Sequence, residues 1–291
     1  MNFLFHARDA LLGMVTGEGF DTVLNATDYR ADENQVNQVA VDIQQALTTF
    51  RTEYMDEWGG HVDYAGLGQS AIYQYYRSTI TPRLQRFNPT LLASRQEQLA
   101  FWINLYNALV IDSVITHGVR ESVTEGFSGV LGFFRRAAYI VGGQRLSCED
   151  IEHGILRENR GNPYVPGNQF PQDDRRRSWI MTPMDVRIHW ALNCASRSCP
   201  PIQVYDPASI ETQLETAMRS FLDKTTSIDT QQGSVHLSSI LNWYGSDFGG
   251  HKGVLSLLMQ HLPDDERRRW IVGQPSVDLV FTRYDWSLPQ L

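Results

Sequence analysis

The stretch from Ser94 to Gly118 constrains this chain more than any other. Ser94 and Glu97 have the spacing of a capping box, which satisfies the orphan N–H groups at a helix start. Gly118 supplies a residue suited to the left-handed stop, and His117 sits where the negative end of the dipole favours it. Between them Leu99, Trp102, Ile103, Tyr106, Val110 and Val114 leave little of the circumference polar. A helix apolar on most sides has to be buried, so the rest of the chain must supply layers to cover it.

Other segments supply them. Val36, Val39, Ile43, Leu47 and Phe50 share a helical face in a segment running to Trp58, before Gly59-Gly60, and Gln69 to Thr79 reads as a second helix. The period then changes. Ala137 to Val141, Gly142-Gly143 and Gln144 to Ser147 read as a tight hairpin. Ser147 and Asp150 can cap a short helix reaching Arg157, and Gly161 to Arg177 is a polar loop. Asp185 to Asn193 alternates as a strand, and Asp206-Pro207 opens a helix with Ile210, Leu214, Met218 and Phe221 inward. Short strands are expected at Ser234 to Leu237, Trp270 to Val272 and Val277 to Phe281. Helices early and strands late imply an α+β fold, with a central buried helix and further helices packed on an antiparallel sheet. No Pro-, Gly- or Ser-rich linker marks a boundary, so residues 1–291 are expected to form a single domain.

Composition narrows the function. With 25 Lys and Arg against 33 Asp and Glu the net charge is −8, which argues against nucleic acid as a partner, because phosphate binding needs a basic stripe. The triplets Arg175–Arg177 and Arg267–Arg269 each follow acidic residues and read as solvated surface. No run approaches the ~20 apolar residues of a membrane span. Three cysteines, Cys148, Cys194 and Cys199, do not suggest a disulfide framework. Met1 to Phe20 makes a poor leader. The cytoplasm is therefore expected, or an extracytoplasmic location if a leader was trimmed.

Four clusters place polar residues in apolar company. Asn104 and Asn107 lie three apart on the central helix; buried amides either brace backbone or hold a reacting group. Glu149-Asp150-Ile151-Glu152-His153 combines two glutamates with an imidazole, and capping explains only Asp150. In Asp185 to Pro201, His189 leads into a Ser-rich loop with Cys194 and Cys199, ended by two prolines. An imidazole near a thiol can lower its pKa and create a nucleophile. Trp243-Tyr244-Gly245-Ser246-Asp247-Phe248 reads as core packing with a cap.

In this order the clusters resemble the family known as domain of unknown function 547. The strings that carry the resemblance are Phe101–Ala108, Leu146–Arg157, Arg187–Pro201 and Trp243–Phe248, with Val62-Asp63-Tyr64 upstream and Tyr284 to Leu288 at the end. The resemblance covers residues 62–288, leaving 1–60 as a helical N-terminal extension. It implies a papain-like or transglutaminase-like thiol site at Cys199 (or Cys194), His189, His153 and Glu152. On that basis the leading expectation is a cysteine-centred hydrolase or acyltransferase acting on an amide or peptide-like bond, without a cofactor. Cys199 would attack, His189 or His153 would act as base, Glu152 would orient the imidazole, and Asn104 or a backbone N–H would stabilise the oxyanion. Two alternatives stand beside it. One is a non-enzymatic peptide- or protein-binding module. The other is a zinc site built from His189, Cys194 and Cys199 with Glu152 or His153.

Overall fold

The buried helix forms as expected, over Arg95–Thr116, in a computed structural model that describes residues 2–16, 23–26, 32–125 and 129–291. The Ser94 hydroxyl accepts from the Glu97 N–H, and the Glu97 carboxylate accepts from the Ser94 N–H, closing the capping box. Every residue from Leu99 to Val114 is buried. The same helix is long and apolar enough to cross a membrane by length and composition alone, contrary to the expectation that no such run exists. Its apolar surface is consumed inside the protein instead.

The chain forms two compact units. The first comprises Met1–Asp185, Leu192–Ile210 and Trp286–Leu291. It holds α1 (Asn2–Thr16), α2 (Glu33–Asn37), α3 (Val39–Tyr54), α4 (Tyr64–Gln69), α5 (Ala71–Tyr75), α6 (Arg95–Thr116), α7 (Gly129–Arg136), β1 (Ala138–Val141) and β2 (Gln144–Ser147). A π-helix at Tyr76–Ile80 prolongs α5, so the expected Gln69–Thr79 helix is present in pieces. Helix α3 stops at Tyr54 rather than Trp58, because Met55 turns extended and bridges Val62 while the Asp56 carboxylate collects the Gly60 N–H and His61. The β1–β2 hairpin pairs antiparallel from Ala138↔Ser147 to Val141↔Gln144, with Gly142 and Gly143 at positive φ as the turn requires. The segment Met1 to Phe20, expected to make a poor leader, is helical over α1, and Met1 and residues 17–20 lie outside the described residues.

Elements of the sequence reading are corrected in both units. In the first, residues 161–177 are not wholly loop, since Arg175–Trp179 forms a 3-10 turn capped by the Asp174 carboxylate. The second unit comprises Val186–Ala191 and Glu211–Asp285. Here the expected strand at Asp185 to Asn193 is instead a 3-10 turn over Val186–Trp190, closed by the Ala191 N–H on the Ile188 carbonyl. Ile188, His189 and Trp190 are all buried. Alternation over so few residues looks like a strand, but a turn covered on several sides satisfies it equally.

The second unit also holds α8 (Ile210–Thr225, all but its first residue), β3 (Ser227–Asp229), β4 (Ser234–Leu237), α9 (Ile240–Trp243), α10 (Gly250–His261), α11 (Glu266–Gly273) and β5 (Asp278–Phe281). Strands β3 and β4 pair antiparallel, whereas β5 joins β4 in parallel. The reason is topological: three helices separate β4 from β5, and a helical crossover returns the chain in the same direction. The strand expected at Trp270 to Val272 is part of α11, because the Asp265 carboxylate caps a helix start at the Arg267 and Arg268 N–H groups. The fold is thus α+β, with small antiparallel and mixed sheets.

Candidate functional site

Within the first unit, the loop following Leu192 is held from several directions. The Asn193 N–H donates to Asn107 Oδ1 on α6 at 2.9 Å. Asn193 Nδ2 donates to the Pro200 carbonyl at 2.6 Å, and its Oδ1 accepts from the Ala195 N–H at 2.7 Å. One asparagine side chain therefore ties both ends of the loop together. Ala195 takes φ of +55°, a left-handed conformation that costs an L-residue roughly 1–2 kcal/mol.

This loop carries Cys194 and Cys199, which are joined by a disulfide with Cα atoms 6.1 Å apart. That corrects the expectation that the cysteines would not pair. The five-residue spacing, tightened by the turn at Ser196 and Cys199, lets the sulfurs meet. Both cysteines are partly exposed. The Cys194 N–H donates to Cys199 Sγ at 2.9 Å, and Ser196 Oγ lies 3.1 Å from Cys194 Sγ. Cys148 is the free thiol and is fully buried. Burial pushes it well above its ordinary pKa, and Glu152, Glu149 and Asp150 add to the effect, so it is an inert thiol.

The first unit also gathers Glu149, Glu152 and His153. The π-helix Asp150–Leu156 grows from the end of β2, where the Ser147 hydroxyl accepts the Asp150 N–H and the Asp150 carboxylate accepts the Ser147 N–H. His153 Nε2 lies 3.8 Å from Glu149 and its Nδ1 3.8 Å from Glu152, both beyond hydrogen-bond length, while the Arg157 guanidinium is 3.0 Å from Nδ1. Tyr106 donates to Glu152 at 3.0 Å, and Asn162 donates to both oxygens of Glu149. Burial pushes the Glu149 carboxyl up to about 8, with the Glu152 charge adding and the Asn162 hydrogen bonds opposing. Asp150 goes the other way. Burial alone would raise it, but Arg176, the Ser147 N–H and Gln169 hold it below its ordinary value.

In the second unit His189 Nε2 lies 2.9 Å from Asp247 Oδ2, with both side chains almost wholly buried. The imidazole stacks on Tyr244 at 4.1 Å between centroids, and Phe248 meets its edge. A carboxylate at this distance fixes both ring orientation and tautomer, the orienting role that sequence reasoning gave to Glu152. Asp247 was the residue missed as a candidate. Its signal was a single carboxylate in the aromatic string Trp243 to Phe248, read there as a cap.

Asn104 does something plainer. Its Nδ2 donates to the Tyr205 carbonyl at 2.7 Å and its Oδ1 accepts the Tyr205 N–H at 2.9 Å, so its amide braces backbone. The zinc alternative finds little chemistry to stand on. The two thiolates it needs are bonded to each other, and among the described residues no three His, Cys, Asp or Glu side chains are grouped to hold a metal.

Residues 90–222 match the family described as Protein of unknown function, DUF547. The resemblance carried by the motifs is therefore shown over that stretch, which contains Asn104, Glu152, His153, His189, Cys194 and Cys199. Asp247 and the Val62–Tyr64 and Tyr284–Leu288 strings fall outside it. No curated protein and no solved structure matches the chain.

Proposed function

We propose that this chain is a cysteine-centred hydrolase or acyltransferase acting on an amide or peptide-like bond, with Cys199 as nucleophile once its disulfide is reduced. The observation that carries the reading is the Cys194 N–H aimed at Cys199 Sγ from a half-exposed, braced loop. A fixed N–H donor stabilises a thiolate more than a thiol, which lowers the pKa and raises the thiolate fraction near neutrality. The reading also needs a base, a role for which the sequence offers His153 in the same unit as Cys199. The Cys199 thiolate would add to the carbonyl carbon, the leaving group would depart with a proton, and water or an acceptor nucleophile would release the acyl group.

The non-enzymatic binding module remains the second reading, favoured by the commitment of the Asn104 amide to backbone. Acyl trapping separates the two. The reduced chain is treated with p-nitrophenyl acetate, and the adduct is mapped by mass spectrometry. The enzyme reading expects an acetyl thioester on Cys199, lost in Cys199→Ser. Acylation of reduced Cys199 no faster than that of free cysteine would leave the binding module standing.

A further inference from the structure

We infer that Cys194 and Cys199 form a reversible dithiol–disulfide exchange centre that gates the nucleophile, opened by an external thiol attacking Cys194 with Cys199 as the leaving sulfur. The inference rests on the proposed role of Cys199, and it adds the class of molecule that controls it.

Three observations support reversibility. Both cysteines are partly exposed residues, on a loop that also carries the exposed Arg197. The bridge spans only five positions in sequence, and a bridge closing so short a loop constrains the unfolded chain least, which makes it a weak structural staple. The loop is held without it, by Asn193 to Pro200 and Ala195, by Asn193 to Asn107, by the Cys199 N–H on the Ser196 carbonyl, and by the Arg197 N–H on the Ser287 carbonyl. Reduction therefore leaves the two thiols side by side and ready to pair again.

The direction of attack follows from the donors. Cys199 Sγ accepts from the backbone N–H of Cys194, a donor fixed by the braced loop, whereas Cys194 Sγ faces the side-chain hydroxyl of Ser196. Cys199 is thus the better leaving thiolate. An external thiolate attacks Cys194 Sγ, and the S–S bond breaks with its electron pair leaving on Cys199 Sγ. A mixed disulfide remains on Cys194. The second thiolate of a dithiol reductant then attacks the reductant's own sulfur in that mixed disulfide. This frees Cys194 and forms the reductant's disulfide. Two electrons pass from reductant to protein, and the two new thiolates take up protons according to their pKa values. A disulfide oxidant such as oxidised glutathione reverses the sequence.

The test uses the full, oxidised chain without denaturant. It is exposed briefly to reduced glutathione, quenched with N-ethylmaleimide and mapped by peptide mass. The better-stabilised thiolate leaves faster, so glutathione on Cys194 with maleimide on Cys199 should exceed the reverse pattern severalfold. Dithiothreitol should free both thiols with the circular dichroism spectrum unchanged, and oxidised glutathione should close the bridge again. A bridge that resists dithiothreitol until urea is added would overturn the inference, and so would glutathione mainly on Cys199. The acyl-transfer reading fails separately: the expected exchange pattern without acylation of reduced Cys199 would sink that reading and leave the exchange centre in place.

Discussion

Asn104 shows how a polar residue in an apolar helix is read at the residue scale. Its sequence position announces that it is buried and bonded, but not to what, because its partner Tyr205 lies 101 positions away. Replacing it with Ala orphans the buried N–H and carbonyl of Tyr205, each worth roughly 1–3 kcal/mol. Asn104→Ala should therefore lose about 2–6 kcal/mol in urea denaturation, and a change under about 1 kcal/mol would show that the brace is unimportant. Glu149 makes a pH prediction. Its folded carboxyl keeps a proton up to about 8, while an unfolded Glu releases it near 4.5. Across that interval the folded chain binds more protons, so Glu149 makes stability fall as pH rises from about 4.5 to about 8. Glu149→Gln should flatten this part of the slope, as read from urea midpoints at both ends of the window; an unchanged slope would contradict the assignment. The raised pKa was not legible in the sequence. It depends on burial and on the Glu152 charge, against the opposing hydrogen bonds of Asn162, which folds back from the loop beyond the π-helix.

Elements with a strong local signature were legible, and those decided by neighbours were not. Helix α6 and the β1–β2 hairpin carry their own caps and turns, and both form where the sequence placed them. The 3-10 turn at Val186–Trp190 and helix α11 replace expected strands, because short apolar runs do not settle the period. The π-helix Asp150–Leu156 makes its own prediction. A Cβ at Gly154 would lie 2.3 Å from Phe170 Cζ, and the ring is fully buried. Gly154→Ala should therefore cost roughly 1–3 kcal/mol as an overpacking change. Adding Phe170→Leu should recover part of the loss, and failure of that double variant to recover would place the strain elsewhere.

Across the whole chain, the candidate chemistry was visible as residues and hidden as partnerships. The sequence named His189, Glu152, His153 and Cys199, yet the partners that define them lie elsewhere. His189 pairs with Asp247, 58 positions on, and Cys199 pairs with Cys194, a disulfide that a count of three cysteines does not suggest. The glutamate–histidine cluster and the cysteine loop belong to the first unit, and the His189–Asp247 pair to the second. The central claim is that Cys199, once reduced, is an activated thiolate. Its most direct test is the pH profile of iodoacetamide labelling in the reduced native chain, followed residue by residue. The account predicts that Cys199 labels fastest, with a midpoint well below ~8.5, and that Cys148 stays protected. Slow labelling of Cys199, no faster than Cys194 and with a midpoint at or above ~8.5, would contradict it.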